Sequence, residues 1–193
     1  QVATVIDSGG ALVNSTVNAG SQSSYGLDGE IDYRPAKGMS IYASAEYLHT
    51  RLNDDLAING DYLPTRGKRA VSAPSFQFAL GSTYDDGRLF GSSALKYVGR
   101  QYATFMNDES IKGYATLDLS VGAHLAGLID AQVMDLRINA INVTNPRVLS
   151  GVYAISTNAQ DTVGRDGTLI AGSAPTYYVG SGRAVVATLS RAF

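Results

Sequence analysis

The sequence predicts an all-β protein, specifically an antiparallel transmembrane β-barrel. Apolar residues recur at every second position, the connections between such segments alternate between short and long, and the last segment ends on an aromatic, Phe193. Composition sets the limits. With 45% hydrophobic and 17% charged residues among 193, the chain must fold around apolar surface and is not disordered. Its 15 basic and 17 acidic residues are spread along the chain for a net charge of −2, which leaves no basic stripe for nucleic acid. The absence of cysteine excludes disulfide frameworks, thiolate zinc sites and cysteine nucleophiles. No apolar run approaches the roughly 18 residues of a membrane helix, so any crossing must use strands. The 21 Gly and 12 Tyr suit a twisted, aromatic-girdled sheet. Residue 1 does not open a secretory signal, so the chain is expected to be a processed product or a piece of something longer.

Residues 1–6 read as the stump of a first strand, and residues 12–18 as the upper part of a strand running on through 33. Residues 25–33 place Tyr25, Leu27, Ile31 and Tyr33 against Asp28, Glu30 and Asp32. Residues 39–47 repeat the design, Met39, Ile41, Ala43, Ala45 and Tyr47 opposing Ser40, Tyr42, Ser44 and Glu46. In 75–84, Phe76, Phe78, Leu80 and Tyr84 oppose Ser75, Gln77, Gly81 and Thr83. Residues 89–99 share a face through Leu89, Leu95 and Tyr97 but have small residues between. Residues 115–125 alternate cleanly, from Ala115 and Leu117 to Leu125 against Thr116, Asp118, Ser120, Gly122 and His124. Residues 134–140 set Met134, Leu136, Ile138 and Ala140 against Asp135, Arg137 and Asn139; residues 178–193 read as one closing strand. The expected count is about eight, the first truncated.

Short turns are expected at 34–38, 85–88 and 127–130, where Pro, Gly and Asp supply turn chemistry. Long loops fall at about 52–73, 101–113 and 143–176. An outer-membrane barrel puts all its long connections at one end, and its tilted strands need about 9–11 residues. A soluble sandwich or lipocalin-like barrel explains the alternation equally well. It explains less well the acidic residues and Arg137 on one phase with Tyr at the segment ends of the other.

Several stretches resemble the C-terminal part of the TonB-dependent outer-membrane receptors. NAGSQSSYGLDGEIDYRP (18–35) is similar to the family's N-x-G…G-x-E-x-E strand, KYVGRQY (96–102) to its aromatic-Val-Gly strand exit, LRINAINVTNP (136–146) to its N-x-x-N-x-T-N strand end, and GRAVVATLSRAF (182–193) to its closing strand. The closing strand departs from the pattern at Arg191, where the family usually has an aromatic; the alkyl stem of Arg191 can lie along lipid while its guanidinium snorkels to the interface. The resemblance implies a barrel of about 22 strands around a plug that couples to TonB through a short N-terminal box. Residues 1–193 are then expected to form its C-terminal portion, with plug and box outside this chain. The chain would sit in a Gram-negative outer membrane and share in active transport of a scarce solute such as siderophore-bound iron, cobalamin or oligosaccharide. An autonomous eight-stranded barrel with a structural or adhesive role, and a soluble ligand-binding β-barrel, remain the alternatives. Partners would be the rest of the receptor, TonB through the plug, and outer-membrane lipid and lipopolysaccharide. No cofactor is expected.

No residue constellation supports catalysis. His124 and Asp118 share a face, but six residues along a strand separate them by roughly 20 Å. A base and nucleophile on neighbouring strands stay open, and His49 reads as an interfacial residue. Glu30, Glu46, Asp118, Arg137 and Asn139 are expected to line the lumen, and Arg183 to meet lipid phosphate near the outer headgroups. Loop residues Tyr62, Tyr102, Phe105 and Tyr153 offer aromatic faces for a ligand, and Arg66, beside Lys68 and Arg69, a grip on an anion. Asp54, Asp55 and Asp61 are weak metal candidates, because their spacing matches no calcium loop. Phe193 is the expected membrane-insertion signal.

Overall fold

The computed structural model describes residues 2–6, 12–16, 20–125 and 133–192. Strands β1 (Val2–Ile6) and β2 (Leu12–Thr16) come first. A hairpin of β3 (Gln22–Ala36) and β4 (Met39–Leu52) is followed by a loop holding β5 (Leu56–Ile58) and β6 (Asp61–Leu63). A second hairpin, β7 (Phe76–Asp85) and β8 (Leu89–Val98), leads to a loop holding β9 (Gln101–Tyr102) and β10 (Ser110–Ile111). Then come β11 (Tyr114–His124) and β12 (Val133–Ile141), and a loop holding β13 (Leu149–Ser156), β14 (Thr162–Val163), β15 (Leu169–Ile170) and β16 (Thr176–Val179). The last strand is β17 (Ala184–Ala192).

Seven strands form one antiparallel meander, β3-β4-β7-β8-β11-β12-β17. Register carries the sequence pattern sideways through it. Along one row Glu30, Ser44, Ala79, Lys96 and Thr116 face one another in turn; in the next row Ile31, Ala43, Leu80, Leu95 and Leu117 do. The wall therefore has one polar and one apolar face, because a period of two in every strand stays in phase across correctly registered neighbours. Large apolar side chains on the second face stand open, Leu27 at 77%, Ile31 at 63% and Leu189 at 60% exposure, a continuous greasy surface that a water-facing sheet does not carry. Tyr25, Tyr47, Phe76 and Tyr97 band that face toward the long loops, and Tyr33 and Tyr84 toward the short turns. Eight residues from Tyr25 to Tyr33 along a tilted strand span roughly 20 Å of membrane height, close to the apolar band of an outer-membrane barrel.

The turn ends are tight. Gly38 takes φ 76° in the two-residue connection after Ala36, and a Cβ there would collide with the Asp85 carbonyl oxygen of the next hairpin. Asp86 organises the second turn, its carboxylate accepting the Arg88 and Leu89 N–H groups at 2.8 Å each. The third turn, expected at 127–130, lies outside the described residues. At the opposite end the loops have a core of their own, in which Leu52, Leu56, Leu63, Val71, Phe105 and Ile170 are buried together.

Several expectations change. Residues 12–16 do not prolong the strand through 33. They pair with β1, and β1 joins β13 in a separate four-stranded sheet, β16-β13-β1-β2. Among the described residues the wall thus holds seven strands rather than about eight, and its order is open, with β3 and β17 as its two edges. Residues 178–193 are two elements, not one: β16 belongs to the loop sheet, and β17 starts only at Ala184. Among the described residues β17 has one neighbour in the wall, β12, in register from Val133↔Ala192 to Ile141↔Ala184. Phe193 lies outside the described residues.

Candidate functional site

Two regions carry chemistry, the polar face of the wall and the cap of long loops. On the polar face, Glu30, Glu46, Asp118, Arg137 and Asn139 share the phase that sequence periodicity assigns them. Tyr42 donates its hydroxyl to Glu30 at 3.0 Å, and Gln77 donates its amide to Glu46 at 2.5 Å. Asp118 accepts the backbone N–H of Asn142 at 2.7 Å, capping the end of β12, where Asn142 and Asn145 adopt φ of 49° and 51°. Asn tolerates this left-handed backbone, which is why the N-x-T-N stretch can end a strand so sharply. A recess of about 290 Å³ opens among Asp28, Glu30, Glu46, Gln77 and Lys96.

Near the short turns the face carries a stack that sequence reading did not assemble. Phe90 lies over Gly122, with the Arg137 guanidinium 4.9 Å from its ring centre and the His124 ring 4.7 Å away. His124 meets Asp135 at 2.8 Å through Nδ1 and Asp85 at 3.5 Å through Nε2. Asp118 is not its partner, as the spacing along the strand requires; the partners come from other strands, Asp135 from the adjacent β12 and Asp85 from the end of β7, two strands away. His49, expected at the interface, stacks on Tyr25 with ring centres 4.8 Å apart.

In the cap, carboxylates tie distant loops together. Asp61, 1% exposed, accepts the N–H groups of Tyr62 at 2.5 Å, Asp166 at 2.8 Å and Thr168 at 2.9 Å, and so anchors the β14–β15 turn onto the β5–β6 hairpin. The Asp166 N–H above all, with those of Tyr62 and Thr168, holds the Asp61 carboxyl below the usual carboxylate range despite its burial. Asp55 pairs with Arg165 at 2.9 Å, and Asp54 accepts the backbone N–H and hydroxyl of Ser21 at 2.7 Å each. Asp108 accepts from the Thr104 hydroxyl at 2.6 Å and from the Ala159 and Gln160 N–H groups at 2.9 and 3.0 Å. Tyr177 donates to Glu109 at 3.1 Å; burial, reinforced by that carboxylate, pushes its phenol up to about 12. Asp54, Asp55 and Asp61 each accept hydrogen bonds from protein donors, and among the described residues no group of three or more His, Asp or Glu converges as a metal site.

The aromatic loop residues divide. Tyr62 is half exposed, beside the β14–β15 turn whose Arg165 N–H binds its carbonyl at 2.9 Å, and Arg66 is exposed nearby. Tyr153 is 68% exposed on β13 and meets Tyr178 edge-on at 5.3 Å. Tyr102 is partly buried on β9. Phe105 is corrected: at 1% exposure it is a core residue of the cap and offers no face to a ligand. Asp108, Asn158 and Arg165, which hold the cap together, carried no signal in the sequence because the partners through which they join separate loops are backbone groups or side chains 12 to 110 residues away.

The model of the family described as TonB dependent receptor-like, beta-barrel matches residues 1–145. The chain belongs to this family. Its members are transport receptors that form β-barrels in the outer membranes of Gram-negative bacteria, with a plug and coupling to TonB. Over 161 residues, 78% of this chain and 22% of the relative, the chain is 28% identical to the ferrioxamine receptor of Yersinia enterocolitica. Among solved structures, the siderophore receptor PiuA of Acinetobacter baumannii aligns with a TM-score of 0.67 at 15% identity, over 97% of this chain and 23% of that one. The ferric yersiniabactin uptake receptor FyuA of Yersinia pestis aligns with a TM-score of 0.60 at 20% identity, over 87% of this chain and 23% of that one. The chain spans between a fifth and a quarter of the length of these relatives.

Proposed function

We propose that this chain forms the C-terminal part of the barrel wall and the outer loops of a TonB-dependent receptor that imports a scarce solute, foremost an iron chelate, across a Gram-negative outer membrane. The observation that carries the reading is the two-faced wall. One open face is apolar and banded by tyrosines, the other carries the charged side chains, the register holds both faces in phase across all seven strands, and the long loops gather at one end, with a family match over residues 1–145. The apolar face meets lipid, and Glu30, Glu46, Asp118, Arg137 and Asn139 look into the lumen toward the plug. The wall is passive in transport, while the plug and its contact with TonB lie in other parts of the receptor. Tyr62, Arg66, Tyr102 and Tyr153 are the loop positions that meet cargo, and Arg183, exposed just before β17, meets lipid phosphate. Deleting the gene is expected to abolish growth on one or more chelates when iron is scarce, and uptake of ⁵⁵Fe presented as that chelate should need both the receptor and TonB. Unchanged uptake across a panel of hydroxamate, catecholate and carboxylate chelates would reject the reading.

A further inference from the structure

Arg100 and Lys112 lie where the wall gives way to the β9–β10 hairpin. The register is the same on both sides of them, Tyr114 facing Val98 and Ile111 facing Gln101, so Arg100 and Lys112 stand directly opposite each other. Both follow the polar phase of the wall, two residues beyond Val98 and two before Tyr114, and both are exposed. Among the described residues neither side chain has a hydrogen bond or an ion pair. Like charges placed opposite on a sheet oppose folding unless something neutralises them. A third cation joins the row. Val98 faces Gln77 and the Gly99 N–H binds the Phe76 carbonyl, which brings Ser75 beside Arg100, and the Arg69 guanidinium donates to the Ser75 hydroxyl. Strand spacing puts Arg69, Arg100 and Lys112 within roughly 10 Å. The nearest acids on the hairpin are engaged, Asp108 by Thr104, Ala159 and Gln160 and Glu109 by Tyr177. Tyr102 and Tyr114 share the phase of the cations, one above and one below the pair.

The geometry points to an anion-docking row at the outer mouth of the lumen, in which Arg69, Arg100 and Lys112 receive the oxyanions of a negatively charged, oxygen-rich metal chelate and Tyr102 and Tyr114 flank its organic part. This rests on the receptor reading above and deepens it by giving the cargo a charge. Guanidinium and ammonium donors bind carboxylate or phenolate oxygens far more strongly than neutral amide oxygens. At the mouth their field also gathers anions from solution in a salt-dependent way.

The test uses the whole receptor in outer-membrane vesicles, with ⁵⁵Fe as ferric citrate, as a ferric tris-catecholate and as ferrioxamine, which bears no negative charge. Arg100→Gln/Lys112→Gln is expected to weaken binding of one anionic chelate at least about tenfold and to flatten its salt dependence. Arg100→Lys/Lys112→Arg should retain binding within a few fold. Heat-modifiable gel mobility confirms that each variant is folded. If the wild type binds only ferrioxamine, or the Gln pair binds the anionic chelate as well as wild type does, the anion row is overturned while the receptor reading stands. If the Gln pair changes only the thermal stability of the unloaded receptor, the cations serve an acidic segment of the receptor itself and the inference fails. A wild type that binds no iron chelate of any charge overturns both.

Discussion

At the scale of single residues, the polar face is arranged by contacts between strands. His124 lies about 20 Å from the acid that shares its strand face, yet 2.8 Å from Asp135 across the ladder. Periodicity assigns a side chain to a face, but it does not tell which residue of another strand stands beside it, because register is set by turns and bulges far along the chain. The stack over Gly122 was hidden for the same reason. Phe90 faces Gly122 in the β8–β11 ladder, and its ring fills the space a side chain would take, with Arg137 and His124 beside it. A Cβ at Gly122 would enter the Phe90 ring and come within 2.6 Å of the Leu136 carbonyl oxygen, so ring and backbone must both yield. Gly122→Val is therefore expected to cost about 1–3 kcal/mol by overpacking and to displace both cation and imidazole from the ring. A lowered temperature for the heat-modifiable gel shift would show it. A shift temperature equal to that of wild type would mean that the ring swings away freely.

At the scale of elements, the long loops were legible as loops and not as a folded cap. All of their strands but β13 are two to four residues long, too short for a period to emerge, and the hydrogen bonds that define the cap join backbone N–H groups to carboxylates on other loops. Phe105 shows how this misleads, since an aromatic in a loop looks like a ligand contact until the loop proves to have a core. Asp61 couples the cap to pH. Its carboxyl is held below the usual carboxylate range when folded, chiefly by the Asp166 N–H, so the ionised form favours the docked β14–β15 turn above that ordinary range, and the contribution is lost as pH falls through the lowered value. Amide protection factors for residues 164–168 should thus hold from pH 7 to about pH 5 and fall below the ordinary pKa near 4. Asp61→Asn, which keeps the shape and removes the charge, should show the reduced protection already at pH 7. Full protection in that variant would assign the turn's position to packing alone.

At the scale of the whole molecule, the wall was the most legible part. Alternation, loop lengths and strand ends all follow from the need to satisfy every backbone group while one face meets hydrocarbon. What the pattern could not fix was the membership of marginal strands. Residues 12–16 alternate well enough to enter the wall, yet they pair with β1 in the loop sheet, where a partner strand was already available. The division of the wall into lipid and lumen faces is the claim on which the functional reading depends, and two substitutions at neighbouring levels separate it from a soluble sheet. Leu80 is on the apolar face, in the row with Ile31 and Ala43, between the tyrosine bands; Ala94 is on the polar face, opposite Gly81. Leu80→Arg should cost about 2–4 kcal/mol near the bilayer midplane and lower the amount of heat-modifiable receptor in the outer membrane, whereas Ala94→Arg should be nearly silent. In a soluble β-barrel the penalties would run the other way if Ala94 faced the core, and would be equal if neither face were buried in lipid. The asymmetry between the two arginines, read by membrane assembly and not by transport, decides between them.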